Sequence, residues 1–173
     1  MTFHIRVSAI ALVIAAAVSG ASAEQAVDFS GNWTAAAPAP TTPPRGDMGS
    51  GWGTPVTISQ NGGELIVQEP IFSRYDLQPP LRFVYKLDGS ESRNTTMAGH
   101  APQTRVSRAT WEGQALVIVT SYPGVDPATA KPFTTTVTQR LSLTSPTELV
   151  IETVRGAALT GRETRSRTVY KKT

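Results

Sequence analysis

The sequence predicts an all-β protein, built as an antiparallel up-and-down meander of about 8–10 strands that close into a barrel. Three observations support this prediction. Helical periodicity is almost absent, short segments with alternating apolar and polar residues recur along the chain, and turn signals separate these segments. Threonine is also unusually frequent, at 23 of 173 residues, and its β-branched side chain favours strands over helices.

The first 23 residues have the pattern of a secretory signal peptide. Arg6 ends a short basic region, an apolar run follows over 7–18, and Ala21-Ser22-Ala23 has the A-x-A form of a cleavage site. The apolar run is too short to span a bilayer. We therefore expect cleavage near Ala23 and a mature chain, 24–173, that forms one periplasmic or secreted domain without a transmembrane span.

The mature chain is expected to form a series of strands joined by turns. The expected strands are 29–36, 54–60, 64–69, 81–87, 90–96, 103–111, 115–122, 134–143, 148–155 and 163–172. The segment 37–53 holds four prolines and four glycines, which is typical of a loop because proline cannot donate to a β-ladder. Asn61-Gly62 predicts a type I′ turn, and Asp88-Gly89 predicts a turn between the fourth and fifth strands. Consecutive strands are therefore expected to pair as hairpins.

Pairing across each turn sorts the side chains by face, because successive residues of a strand alternate. On the inward face, apolar residues lie near the turns and polar residues lie farther from them. The polar ones are Ser92, Asn94, Arg105, Ser107, Thr120, Tyr122, Gln139, Thr153 and Arg155. This gradient predicts a pocket, and two inward arginines predict an anionic partner such as a carboxylate or phosphate. The alternative is that these strand ends lie at the barrel rim and reach water.

The composition excludes several kinds of chemistry. A chain without cysteine has no disulfide, no thiolate nucleophile and no cysteine-ligated metal. Of the two histidines, His4 lies in the predicted leader, so a multi-histidine metal site is excluded, and we expect no metal and no cofactor. The formal net charge is only +3, and Arg165 and Arg167 alternate with small polar residues as on a solvent face. We therefore expect no nucleic-acid partner.

Gly31-Asn32-Trp33 in the first strand resembles the Gly-x-Trp motif of the lipocalin and wider calycin families, in which the tryptophan closes one end of a barrel. Tyr85-Lys86-Leu87-Asp88-Gly89, the hairpin from Trp111 to Leu116 and the terminal segment from Val169 to Lys172 are similar to segments of small secreted bacterial proteins described as lipocalin-like or uncharacterised. The resemblance covers about 28–172. It implies a lipocalin-like barrel outside the cytoplasm, and it assigns no catalytic residues.

The leading hypothesis from the sequence is a lipocalin-like protein that binds a small, mainly hydrophobic or amphipathic ligand in the barrel, with arginines for an anionic group. The expected ligand-binding residues are Trp33, Phe83, Tyr85, Asn94, Arg105, Trp111, Thr120, Tyr122 and Arg155, with Leu116 as further apolar wall. In this hypothesis the loop 37–53 is either a lid over the pocket or a disordered flap.

Two alternatives from other classes stay open at this point. One is a cofactor-independent cavity enzyme, a lyase, isomerase or hydrolase. Its candidate catalytic residues are His100, Tyr122 and Arg105, with Asp76 or Glu91 as carboxylate and Tyr85 as a further acid. The other is a structural or interaction module of the cell envelope whose barrel is filled. An interior filled by side chains would contradict the binding hypothesis.

Overall fold

The structure is a computed structural model that describes residues 27–36, 51–53, 55–70, 79–98, 101–126, 128–156 and 163–173. For residues 97, 98 and 101 it describes the backbone. The predicted signal peptide, most of the predicted loop 37–53, Asp76 and His100 lie outside the described residues. The described residues form ten strands and no helix: β1 (Gly31–Ala35), β2 (Val56–Asn61), β3 (Glu64–Glu69), β4 (Leu81–Lys86), β5 (Glu91–Ala98), β6 (Ala101–Glu112), β7 (Ala115–Val125), β8 (Pro132–Ser145), β9 (Glu148–Arg155) and β10 (Thr164–Lys172).

All ten strands pair antiparallel in one sheet, in the order β4-β3-β2-β1-β10-β9-β8-β7-β6-β5. The first and last strands are neighbours in this order, and Trp33 of β1 lies opposite Lys172 of β10. Their pairing joins the two ends of the chain within the sheet. The two edge strands of the sheet, β4 and β5, also meet side by side, so the sheet curls into a nearly closed barrel. The predicted all-β fold, an antiparallel up-and-down meander closing into a barrel, is therefore confirmed.

The barrel has two different ends. At one end, which we call the turn end, short turns join β2 to β3, β4 to β5, β6 to β7 and β8 to β9. The connections at the opposite end, the loop end, include 36–55, 70–80 and 156–163. The turn between β2 and β3 lies one residue later than predicted. Asn61 still pairs with Glu64, and Gly62 (φ +51°) and Gly63 (φ +88°) take the left-handed backbone that the turn requires.

The predicted hairpin between the fourth and fifth strands is wrong in one respect. β4 and β5 follow one another along the chain, yet they lie at opposite ends of the sheet order and share no backbone ladder. Side chains of β5 bridge the gap between β4 and β5, which we call the seam. The Val84 N–H donates to Asn94 Oδ1 at 2.8 Å, Asn94 Nδ2 donates to the Val84 carbonyl at 3.0 Å, and the Lys86 N–H donates to Ser92 Oγ at 2.8 Å. These bonds satisfy backbone groups that a ladder would otherwise pair.

Replacing Asn94 with alanine should lower the free energy of unfolding by about 2–3 kcal/mol, because the variant loses two hydrogen bonds and leaves both polar groups of Val84 without them. Urea unfolding measures this loss. Thr95→Ala is the matched control on the same strand, since its hydroxyl makes an exposed bond to Thr104; it should change stability by no more than about 0.5 kcal/mol. Equal losses in the two variants would show that the seam does not depend on Asn94.

The core occupies the barrel interior towards the turn end. The predicted inward residues of β2 and β3, Val56, Ile58, Leu65 and Val67, are all at most 1% exposed. Trp33 is fully buried, and its Nε1–H donates to the Phe29 carbonyl at 2.9 Å. The Phe29 ring in turn stacks on Trp111, with ring centroids 5.9 Å apart. Aromatic side chains therefore fill the barrel at the turn end.

Candidate functional site

Polar side chains occupy the barrel interior beyond this apolar core. The buried ones are Ser92, Asn94, Thr96, Ser107, Thr120, Gln139 and Thr153, each at most 7% exposed. They lie on β5 to β9, and the half-buried Arg105, Tyr122 and Arg155 follow them towards the loop end. Polarity inside the barrel thus increases from the turn end to the loop end, as the alternation of the sequence predicted.

Tyr122 on β7 lies close to two guanidinium groups at the loop end. The Cζ atom of Arg105, on β6, is 4.7 Å from the centroid of its ring, and the Cζ atom of Arg155, on β9, is 5.9 Å from it. Arg105 Cζ also lies 5.9 Å from the centroid of the Phe83 ring. Aromatic faces attract cations through their quadrupole, so the two rings hold Arg105 in place without an acid.

Neither of these two arginines forms an ion pair within 4 Å among the described residues. The five ion pairs found there all use other cations. The Nε atom of Arg105 is buried and has no hydrogen-bond partner among the described residues. A buried donor without a partner is uncommon in a folded protein, and a charged one is more costly than a neutral one. Arg105 therefore retains a charged donor without an acceptor, and an anion would supply that acceptor.

Glu69, the last residue of β3, brings a carboxyl group to the same place. Burial raises its pKa above the ordinary value of 4.5, while a hydrogen bond from the Gly53 backbone and the charge of Arg105 oppose the rise. Its Oε1 atom is buried and has no hydrogen-bond partner among the described residues. No ion pair within 4 Å joins it to Arg105 in that part of the chain. Glu69 therefore adds a second buried polar atom whose hydrogen bonding is incomplete.

Residues 51–53, which we call the strap, cross the loop end beside this cluster. The Tyr170 hydroxyl is hydrogen-bonded to the carbonyls of Trp52 and Gly53, at 3.0 and 3.2 Å. Trp52 is 8% exposed, and its ring centroid lies 6.3 Å from that of Tyr85. Burial chiefly raises the pKa of the Tyr85 hydroxyl well above its usual range, and a hydrogen bond with Trp52 opposes this. The strap therefore covers Tyr85, whose burial disfavours the charged phenolate.

Replacing Tyr170 with phenylalanine should loosen the strap and lower the free energy of unfolding by about 1–2 kcal/mol, because the hydroxyl bonded to its two carbonyls is lost. Tryptophan emission, corrected with a Trp52→Phe variant for the other indoles, should shift to the red as Trp52 gains water. Tyr122→Phe is the control, since no described hydrogen bond joins its hydroxyl to the strap. An unshifted Trp52 emission would contradict a holding role for Tyr170.

The structure brings five of the predicted ligand-binding residues together and leaves the others apart. Those together at the loop end are Phe83, Tyr85, Arg105, Tyr122 and Arg155. Trp111 lies six residues farther along β6 than Arg105, and a strand rises about 3.4 Å per residue, so about 20 Å separates them. Trp33 and Leu116 are fully buried within the core. The predicted apolar wall therefore consists largely of packed core residues at the turn end.

Asn94 and Thr120 use their polar atoms inside the barrel wall. Both polar atoms of the Asn94 side chain bond to Val84 across the seam. The Thr120 hydroxyl is hydrogen-bonded to that of Ser107 at 2.9 Å, and both side chains are at most 3% exposed. Neither residue offers an unused polar atom at the loop end in the way that Arg105 and Glu69 do.

The residues considered for catalysis fall into three groups. His100 and Asp76 lie outside the described residues. Glu91 faces outwards on β5 and forms ion pairs with Arg93 at 2.7 Å and with Arg108 at 3.7 Å, so it belongs to the outer surface. Of the candidate acids and bases in the described part of the chain, Tyr122, Tyr85 and Arg105 lie together.

Two residues of this cluster, Glu69 and Trp52, had no predicted role. Glu69 is the only inward carboxyl near Arg105 among the described residues. Its inward position could have been predicted, because Leu65, Val67 and Glu69 lie at alternate positions on the same face of β3. Trp52 falls in the predicted loop 37–53. A large aromatic residue between two glycines, in Gly51-Trp52-Gly53, could have indicated a residue that folds back onto the barrel.

The described residues contain no group of three or more histidine, cysteine, aspartate or glutamate residues placed to hold a metal ion. In the same part of the chain, no helix has the length and apolar character needed to cross a membrane. Comparisons of the chain with protein-family models, with curated proteins and with solved structures found no match.

Proposed function

We propose that this protein binds a small amphipathic molecule with an anionic head group at the loop end of its barrel, as a lipocalin-like binding protein outside the cytoplasm. One observation carries the proposal. Arg105 and Arg155 lie against the same Tyr122 ring, and neither forms an ion pair within 4 Å among the described residues.

Charge supports an anion as the head group. A guanidinium that loses contact with water is stable when a carboxylate, sulfonate or phosphate accepts its hydrogen bonds. Arg105 has a buried Nε–H without a partner among the described residues, and Arg155 adds a second positive charge nearby. A head group bound between them would neutralise both arginines and complete the hydrogen bonding of Arg105.

The apolar part of the ligand has aromatic surface beside this head-group site. Phe83 and Tyr122 flank Arg105, and Trp52 covers the neighbouring Tyr85. Deeper in the barrel, Ser107, Thr120 and Ile118 are at most 3% exposed, so side chains fill the middle of the interior. The proposed ligand therefore lies across the loop end and does not reach the turn end.

The packed interior supports a second candidate function, a structural or interaction module with a filled barrel. In that case Arg105 and Arg155 lie at the rim and are hydrated, and no small molecule is bound. The two functions differ in one measurable property, which is the preference of the folded protein for anionic amphiphiles over neutral ones of the same length.

Isothermal titration calorimetry with three ten-carbon probes tests the proposal. Decanesulfonate, decanol and decyltrimethylammonium share an apolar chain and differ in the charge of the head group. We expect decanesulfonate to bind about 10- to 100-fold more tightly than decanol, since a hydrogen bond to a charged group contributes about 1.5–3 kcal/mol, and decyltrimethylammonium to bind most weakly. Equal affinities, or no binding of any probe, would contradict the proposed function and favour the filled module.

A further inference from the structure

Glu69 and Arg105 each place a buried polar atom without a hydrogen-bond partner at the loop end. Those atoms are Glu69 Oε1 and Arg105 Nε. The two groups interact electrostatically but form no ion pair within 4 Å among the described residues. A carboxyl and a guanidinium that interact without a direct ion pair leave both buried atoms available to a third group.

An anionic head group that binds Arg105 would come close to the Glu69 carboxyl. If Glu69 were ionised, two negative groups would compete for the same guanidinium, and their repulsion would disfavour binding. If Glu69 were protonated, its O–H would become a hydrogen-bond donor that could reach the same head group as the Arg105 Nε–H. A single anionic acceptor would then satisfy both buried atoms.

We propose that Glu69 is a specificity-determining residue that binds the anionic head group in its protonated form, donating a hydrogen bond beside that of Arg105. This inference rests on the proposed function and deepens it. When Glu69 is ionised in the free protein, binding takes up one proton from solution, which the Glu69 carboxylate accepts. The ligand stays ionised throughout.

The surroundings of Glu69 favour this protonated form. Among the described residues, the charged and titratable side chains found to interact with Glu69 are Arg105 from β6 and Tyr85 from β4. Tyr122 from β7 lies against Arg105, and Arg155 from β9 lies against Tyr122. The strap contributes the Gly53 backbone N–H, and burial opposes ionisation of the carboxyl. A bound anion would neutralise Arg105, the one side chain found to lower the pKa of Glu69, so binding would move Glu69 further towards its neutral form.

The sign of the pH dependence follows from this linkage. Because the ligand prefers protonated Glu69, affinity is highest at low pH and falls about tenfold per pH unit once pH exceeds the pKa of Glu69 in the free protein. The stability of the free protein depends on pH in the same direction, decreasing as pH rises. A carboxyl whose pKa is raised by folding stabilises the folded state at low pH, and this contribution is lost as pH rises from 4.5 through the raised value.

Calorimetric titration with decanesulfonate, in buffers of different ionisation enthalpy, counts the protons taken up per ligand bound. A sulfonate stays ionised over the whole range from pH 5 to 8, so any proton uptake belongs to the protein. We expect about one proton taken up per decanesulfonate at the upper end of this range, falling towards zero as pH is lowered. The affinity should fall in parallel.

Glu69→Gln and Glu64→Gln form a matched pair on β3. Glutamine at 69 keeps a neutral donor, so the variant should bind decanesulfonate with an affinity independent of pH and with no proton uptake. Glu64 lies at the turn end and pairs with Asn61, so its variant should behave like the unaltered protein. Glu69→Ala is a second variant without a carboxyl, in case the amide disturbs folding.

The outcomes separate this inference from the proposed function. Proton uptake that is present in the unaltered protein and in Glu64→Gln, and lost in both Glu69 variants, supports the inference. Decanesulfonate binding without proton uptake, or with uptake that persists in both Glu69 variants, overturns the role of Glu69 and leaves the proposed function standing. The absence of decanesulfonate binding overturns both.

Discussion

Replacing Arg105 with methionine should weaken the binding of decanesulfonate about 10-fold or more, towards the affinity of decanol, because the charged hydrogen bond to the head group is lost and only Arg155 remains. Methionine keeps an unbranched apolar side chain against Phe83 and Tyr122, which limits the change to the guanidinium. The affinity for decanol itself should stay unchanged. Isothermal titration of the variant with both probes measures the two effects.

Arg108→Met is the matched control for this variant. Arg108 lies three residues farther along the same strand, on the outer face, where it pairs with Glu91 and its side chain is 62% exposed. It should bind both probes like the unaltered protein. A loss of decanesulfonate affinity in both variants would point to a general effect of net charge and would contradict a specific role for Arg105.

The stability of the free Arg105→Met variant distinguishes a binding role from a structural one. A guanidinium without an acidic partner contributes little to the folded state and has a desolvation cost, so the variant should be as stable as the unaltered protein or more stable. If Arg105 acted mainly by holding Phe83 and Tyr122 in place, its loss would lower the free energy of unfolding. Urea unfolding of the ligand-free variant decides between these two outcomes.

Replacing Trp33 with alanine should lower the free energy of unfolding by about 3–5 kcal/mol, the usual cost of removing a fully buried aromatic side chain. The loss has two parts: the volume of the indole and the hydrogen bond from Nε1 to the Phe29 carbonyl. It would also leave Phe29, which stacks on Trp111, without its neighbour at the turn end. Urea unfolding, followed by circular dichroism, measures the change.

Two further variants separate these contributions. Trp33→Phe keeps most of the apolar volume and removes the hydrogen bond, so it should cost about 1–2 kcal/mol. Val119→Ala changes an outward side chain that is 39% exposed and should cost no more than about 0.5 kcal/mol. Equal losses for Trp33→Ala and Val119→Ala would contradict the assignment of Trp33 to the core.

Local patterns predicted the strands well. The bounds of β3 and β9 coincide with the predicted 64–69 and 148–155, because clear alternation and adjacent turn residues define both. The end of β7 was predicted too early and the start of β8 too late, because Pro123 and Pro132 were taken to end the ladder. The two strands continue past both prolines, with Pro123 opposite Thr134 and Pro132 opposite Val125. Cross-strand pairing here overrides the local preference of proline.

Part of the candidate site could be predicted from the same local alternation of residues. Period-two alternation places Arg105, Tyr122 and Arg155 on the inward face of their strands, and that face can be read from each hairpin alone. Alternation does not say which inward residues meet across the barrel. The approach of Glu69 to Arg105 and the return of Trp52 onto Tyr85 join residues from separate hairpins, so neither could be predicted from local pattern.

The sequence by itself determined that the chain forms an up-and-down β-meander, and which side chains face inwards, because both depend on neighbours within a few residues. Only the tertiary structure decided how the meander closes. The pairing of β1 with β10, the side-chain seam between β4 and β5, and the position of the strap depend on contacts between distant segments. These contacts depend on the curvature and circumference of the closed sheet, which no single hairpin specifies.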